Sequence, residues 1–142
     1  MDTPIGFLIS QTFRKITQLL TMRLREHDIT PEQWSVLFRV CETDGLNQKE
    51  LAMRAAKDQP TTARILDALG KKGLIEKQPS PTDRRAFLVH ATAKGQALME
   101  RTIPLEAQAI QDSVEGLDAG QLDLLRQMLG QMIRNVERYE KD

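Results

Sequence analysis

The sequence predicts a mainly α-helical fold carrying one small β-hairpin, and three observations lead there. Apolar residues recur at steps of three and four through most of the chain, the mark of amphipathic helices. Three cap signatures, Thr30 with Gln33, Asn47 with Glu50 and Asp118 with Gln121, each open such a stripe. The pattern changes once, where LIEKQ (74–78) and FLVHA (87–91) flank Pro79-Ser80-Pro81-Thr82-Asp83, a segment that can continue neither a helix nor a ladder. A helix pair followed by such a hairpin, over residues 46–92, has the shape of a winged helix-turn-helix, here with long helices on both sides.

The first helix, residues 4–27, carries Ile5, Leu8, Ile9, Phe13, Ile16, Leu20 and Leu24 on one face. Phe7, Leu19 and Met22 widen that stripe beyond one contact surface, so the helix either lies deep in a core or is shared with a second chain. Thr30 and Gln33 cap the second helix, Pro31 fits its first position, and Trp34, Leu37, Phe38 and Cys41 form its inner face. Asn47 and Glu50 open a short third helix, about 48–55, whose small side chains let another helix approach. The fourth helix starts at Asp58-Gln59-Pro60 and ends at Lys71, with Gly73 in a left-handed Schellman position. Thr92 caps a long fifth helix that Pro104 kinks. After Gly116, Leu122, Leu125, Leu129, Met132, Ile133 and Val136 give a sixth helix with one apolar stripe. With 142 residues and no low-complexity linker, the expectation is one domain, 1–142.

Composition excludes several classes. Hydrophobic residues at 40% and charged residues at 28% supply enough apolar surface for a core, so disorder is not the default. No apolar run approaches the roughly 18 residues that span a bilayer, and MDTPIGFLISQTF has neither a basic n-region nor an extended apolar h-region, so secretion is not expected. The single Cys41 excludes a disulfide framework and fits a reducing, cytoplasmic setting. Net charge is zero, but residues 47–95 hold ten Lys/Arg against five Asp/Glu. The basic excess therefore lies on the helix-turn-helix and hairpin, where it acts over the roughly 8–10 Å that salt leaves unscreened.

The fourth helix divides into two faces at 100° per residue. Thr62, Ile65, Leu66 and Leu69 fall on one, and Thr61, Arg64, Ala68 and Lys71 on the other. The outward face carries a hydroxyl, a guanidinium and an ammonium, with Thr61 and Arg64 in the N-terminal half that approaches base edges in a major groove. Arg84 and Arg85 sit at the return of the hairpin tip, placed for a narrow minor groove, with Asp83 available to orient one of them by an ion pair. One such module reads about one half-site. A two-fold dimer sets two recognition helices about 34–36 Å apart on successive major grooves, and the apolar terminal helices, 4–27 and 93–142, are the expected dimerisation elements. The competing reading makes the same residues the internal core of a monomeric bundle.

The segments NQKELAMRA, TTARILDALGKKGLIEK and TDRRAFLVHATAKG, in this helix and hairpin order, resemble the multiple antibiotic resistance regulator (MarR) family over essentially the whole chain. The most specific piece is Asp83-Arg84-Arg85 followed by Val89-His90-Ala91-Thr92-Ala93-Lys94-Gly95; Ala91 stands where the family more often has leucine. The resemblance implies a homodimeric winged-helix repressor, less often an activator, on a pseudo-palindromic site. By position it implies that Gln59, Thr61, Thr62 and Arg64 lie on the recognition helix and that Arg85 is the wing arginine oriented by Asp83. It also implies an effector crevice between dimerisation helices and reading head, which Met22, Trp34, Phe38 and Met99 are expected to line for a small aromatic or lipophilic ligand.

Other chemistry has little support in the residues. Cys41 lies on an apolar face, and redox-sensing members of the family that the chain resembles carry their reactive cysteine nearer the N-terminus, where this sequence has none, so a packed thiol is expected. His27 and His90 share no metal-ligand spacing, and neither a phosphate loop nor a nucleophile elbow is present. No metal, cofactor or enzymatic activity is expected. The rival function is a helical ligand-binding or protein-interaction module without DNA binding, which would have no need of Thr61, Arg64 and Lys71 together.

Overall fold

Reciprocal capping boxes fix where three of the helices begin. The computed structural model describes residues 2–140, so Met1 and Lys141–Asp142, the ends of the expected 1–142 and 93–142 spans, lie outside the described residues. Helix α1 (Ile5–Leu24) starts after Pro4 without a side-chain cap. It tightens into a 3-10 turn at Arg25–His27 and stops at Asp28, which takes the left-handed conformation at φ 52°. Helix α2 (Pro31–Glu42) begins where the Gln33 N–H donates to Thr30 Oγ1 at 3.1 Å and the Thr30 N–H donates back to Gln33 Oε1. Asn47 and Glu50 repeat that exchange at α3 (Gln48–Arg54). Strand β1 (Leu46–Asn47) immediately precedes α3. Helix α4 (Gln59–Lys71) ends in a full Schellman motif: the Leu74 N–H donates to Leu69 O at 3.0 Å, the Gly73 N–H to Gly70 O, and Gly73 has φ 73°.

Strands β2 (Ile75–Pro79) and β3 (Phe87–Ala91) form the expected hairpin, but the sheet has three strands in the order β1-β3-β2, all antiparallel. Leu46 pairs with Val89 and Asn47 with Leu88, so the stretch read as a helix cap also closes the sheet. His90 Nδ1 lies 2.8 Å from Asp44 Oδ1, and the Gly45 N–H donates to Val89 O, which pins β3 to the end of α2.

The described chain divides between residues 109 and 110 into two compact units. In the first, Val36, Leu37 and Val40 of α2 meet Leu51 of α3, Ile65, Leu66 and Leu69 of α4, Val89, and Leu98 and Met99 of the fifth helix. Trp34, Phe38 and Cys41, expected on the inner face of α2, pack at its margin. Each fully buried leucine or isoleucine contributes about 1.5–3 kcal/mol, so the inner row of α4 alone fixes the roll of that helix. Helix α5 (Ala93–Ser113) runs through Pro104 without a break. Thr92 caps it by accepting the Gly95 N–H at 3.1 Å. The second unit holds α6 (Ala119–Glu137), opened by the Asp118–Gln121 box. No residue of α6 is buried, and Leu124, Leu129, Ile133 and Val136 stand 45–58% exposed. Most of α1 is similarly bare, with Ile5, Phe7 and Phe13 66–74% exposed and only Leu24 buried.

The turn between α3 and α4 holds Ala56 at φ 55°, a left-handed conformation in which a Cβ is strained. Ala56→Gly should therefore stabilise the protein by about 0.5–1 kcal/mol, the relief of strain outweighing the extra chain entropy of glycine. Urea unfolding checks this as a rise in the midpoint at unchanged slope.

Candidate nucleic-acid interface

The N-terminus of α4 is built by Asp58, whose Oδ1 accepts the Thr61 N–H at 2.7 Å. That backbone N–H first, the Thr61 hydroxyl next, and the Arg64 charge to a lesser extent hold the Asp58 carboxyl below its ordinary pKa. The cap therefore stays ionised and keeps the first turn formed. Beyond it, Gln59 and Lys71 are exposed and Thr61 is half-buried, while the Arg64 side chain is 68% exposed. Arg64 reaches Glu32 Oε2 of α2 at 3.6 Å and Lys71 reaches Asp67 at 3.3 Å. Both pairs are solvent-exposed and worth little against a phosphate.

Thr62 does not belong to this surface. It is fully buried, and its hydroxyl donates to Asp58 O at 2.8 Å. That local bond satisfies its polar group and allows it to serve as core, so the expected DNA contact at Thr62 is corrected.

The wing tip is an ordered turn. Ser80 Oγ accepts the N–H groups of Thr82 and Asp83, and the Ser80 N–H donates to Ala86 O at 3.0 Å. Asp83 Oδ1 accepts the Arg85 backbone N–H at 3.0 Å. No ion pair joins Asp83 to Arg84 or Arg85 among the described residues; the Asp83 carboxylate meets Arg85 through its backbone instead. Arg84 and Arg85 remain exposed with uncommitted guanidinium groups.

Between the wing and the helix pair runs a groove of about 340 Å³. Gln59 of α4 and Asp83 and Arg85 of the wing line it, and Lys49 and Lys77 add two ammonium groups that sequence reasoning missed. Lys77 pairs with Val89 in register, so it shares the inward face of β2 with Ile75. Period-two alternation from the buried Ile75 could have found it. Lys49, in the first turn of α3, gave no such signal.

The four residues expected to line an effector crevice are only partly brought together. Trp34 stacks on Phe38 at 5.4 Å between ring centroids, and its indole N–H donates to Thr102 Oγ1 at 2.9 Å. Both rings pack against the core cluster that includes the buried Met99, whereas Met22 is 64% exposed on α1. Burial pushes the Cys41 thiol up to about 11, which keeps it protonated at neutral pH. Among the described residues no group of three or more His, Cys, Asp or Glu could hold a metal, and no helix is long and apolar enough to cross a membrane.

Comparison with known proteins gives one consistent result. The MarR family model matches residues 29–87, the span from the start of α2 into the wing. The HTH-type transcriptional repressor NicR of Pseudomonas putida is 28% identical over 133 residues, 94% of this chain and 84% of that protein. Among solved structures, mutant MarR from E. coli complexed with operator DNA is 32% identical, covers 91% of this chain and 93% of its own, and superposes with a TM-score of 0.86. The transcriptional repressor CouR bound to a 23-mer DNA duplex is 29% identical over 92% of each chain, with a TM-score of 0.83.

Proposed function

Since the chain belongs to the MarR family of DNA-binding transcriptional regulators, we propose that it works as a homodimeric repressor on a pseudo-palindromic operator. Residues 46–92 are the reading segment. The helix-turn-helix, about 48–71, enters the major groove through Gln59, Thr61 and Arg64, with Lys71 set for a phosphate. The wing, about 74–91, carries Arg84 and Arg85 to the adjacent minor groove, and Asp83 holds the tip. The flanking helices, 4–27 and 93–142, pair with those of a second copy and set the spacing of the two reading heads within one 1–142 domain.

The observation that carries this reading is the groove between the wing and the helix pair, which Gln59 of α4 and Arg85 of the wing line together with Lys49 and Lys77. Phosphate contacts position such a head, and base edges select its site. A DNA-free interaction module would leave this convergence of cations unexplained. The protein acts in the cytoplasm and catalyses no reaction. A small aromatic or lipophilic effector, seated near Trp34, Phe38 and Met99, changes the separation of the reading heads and so lowers operator affinity.

Arg85→Ala tests the wing. Binding to a retained genomic fragment should weaken at every salt concentration, and the log–log salt slope should become shallower by about 1, because one fewer phosphate-bound counterion is released. A slope and affinity equal to the parent's would remove Arg85 from the interface.

A further inference from the structure

We propose that a notch at the opposite end of α4 binds a compact carboxylate. It lies where the α1–α2 junction, the C-terminus of α4 and the first turns of α5 meet, and its volume is about 120 Å³. That equals about four liquid waters at ~30 Å³ each. The floor is apolar, formed by Leu74 and Leu98, which are 2% and 5% exposed. The rim is cationic: Lys72, Lys94 and Arg101 surround it with the His27 imidazole, against Asp28 as the one carboxylate.

Two of these cations are held in place. Lys72 Nζ donates to Asp28 O at 2.6 Å and to Gln33 Oε1 at 2.8 Å, with the Asp28 carboxylate 3.8 Å away. Lys94 Nζ donates to Lys72 O at 2.7 Å, which leaves two of its three N–H donors unused. The Arg101 guanidinium has no hydrogen bond or ion pair among the described residues. Three cations against one carboxylate leave an excess positive charge over a concave apolar floor, the combination that fixes small ligands by a few convergent polar groups.

Arginine presents two parallel N–H groups that match a carboxylate, and Lys94 lines the same notch. A short hydrocarbon body then covers Leu74 and Leu98. Inorganic phosphate, hydrated on every side, gains nothing from that floor. The notch is not part of the DNA face. Lys72 follows the last residue of α4, whereas Gln59 and Arg64 lie in its first half, and a 13-residue helix is about 20 Å long. An occupant would bridge three segments that set the position of α4, so binding stabilises the fold. The inference stands independently of the DNA reading.

The test is a methyl-NMR titration of the full chain at constant ionic strength with butyrate, its neutral isostere butyramide, and inorganic phosphate. Butyrate should shift the Leu74 and Leu98 methyl signals saturably at millimolar concentration and raise the melting temperature by about 2 °C or more. Butyramide should do neither. Arg101→Gln, an exposed and unpartnered position, should keep the parent's melting temperature without ligand and weaken butyrate at least about tenfold. Equal effects of butyramide, or unchanged affinity in Arg101→Gln, would overturn the site. Displacement of butyrate by phosphate at equal or lower concentration would overturn the carboxylate assignment. Shifts confined to the Met99 methyl would overturn the notch and place the ligand in the helix crevice instead.

Discussion

Gly95→Ala should destabilise the protein by about 3 kcal/mol, with a fall in melting temperature on the order of 10 °C. Gly95 is buried in the first turn of α5, and a Cβ added there would overlap the Leu74 carbonyl oxygen and stand 3.1 Å from the carbonyl carbon. The obstacle is backbone, so no rotamer change relieves it. Nor can the two segments separate cheaply. The Thr92 N–H donates to Leu74 O at 3.1 Å, and the Thr92 hydroxyl donates to Gly73 O at 2.6 Å while accepting the Gly95 N–H. Moving α5 away breaks this junction and also lifts Leu98 and Met99 from the core. Gly70 supplies the contrast. Its added Cβ meets nothing within 4 Å on the exposed side of α4, so Gly70→Ala should be neutral or stabilise by about 0.5–1 kcal/mol. Equal effects at the two glycines in calorimetry would contradict the account of the α4–α5 junction.

The second large effect is expected at the flanking helices. Ile133→Asp on α6, or Phe13→Asp on α1, should halve the mass seen by sedimentation at micromolar concentration. Each should also weaken operator binding by at least about a hundredfold. Ile133 is 58% exposed and Phe13 71% exposed in the single chain. An apolar side chain so placed on each of two helices is surface awaiting a partner, beyond the scattered exposure normal on a monomer. A carboxylate at either position would be buried in such a contact without a partner for its charge. Affinity falls with dimerisation because the second half-site contact is intramolecular in the dimer and must be made independently by separate chains. Circular dichroism should show both variants still folded, since neither position belongs to the buried core. A parent chain that sediments as a monomer, or aspartate variants that bind as tightly as the parent, would refute the dimer.

Much of this architecture was legible because its signals are local. The Thr30–Gln33, Asn47–Glu50 and Asp118–Gln121 boxes act across three residues and need no tertiary context, and all three form as the sequence indicates. Ile65, Leu66 and Leu69 likewise gave the inner face of α4 from periodicity alone. What failed depended on partners distant in sequence or on a side chain that satisfies itself. Strand β1 is two residues long, too short to show alternation, and exists because Val89 and Leu88 lie beside it. Thr62 fell on the inner face by periodicity and joined the expected DNA-facing residues only through the family resemblance; its hydroxyl bonds back to the Asp58 carbonyl and it packs as an apolar residue would. Asp83 looked like an ion-pair partner, whereas an Asx turn two residues long captures its carboxylate first. Lys49 joins the candidate interface only because the wing folds over α3, a juxtaposition no local pattern encodes.

The central claim is that the outward face of α4 selects DNA sequence. It is tested most directly by purifying genomic fragments retained by the parent protein and measuring their affinity for Arg64→Ala by gel shift. The variant should lose roughly 1–3 kcal/mol, about 5- to 150-fold, on the selected fragment, with a much smaller loss on random DNA of the same length, because a base contact carries specificity where a phosphate contact does not. Equal affinity of parent and variant for the selected fragment, or equal losses on selected and random DNA, would contradict it.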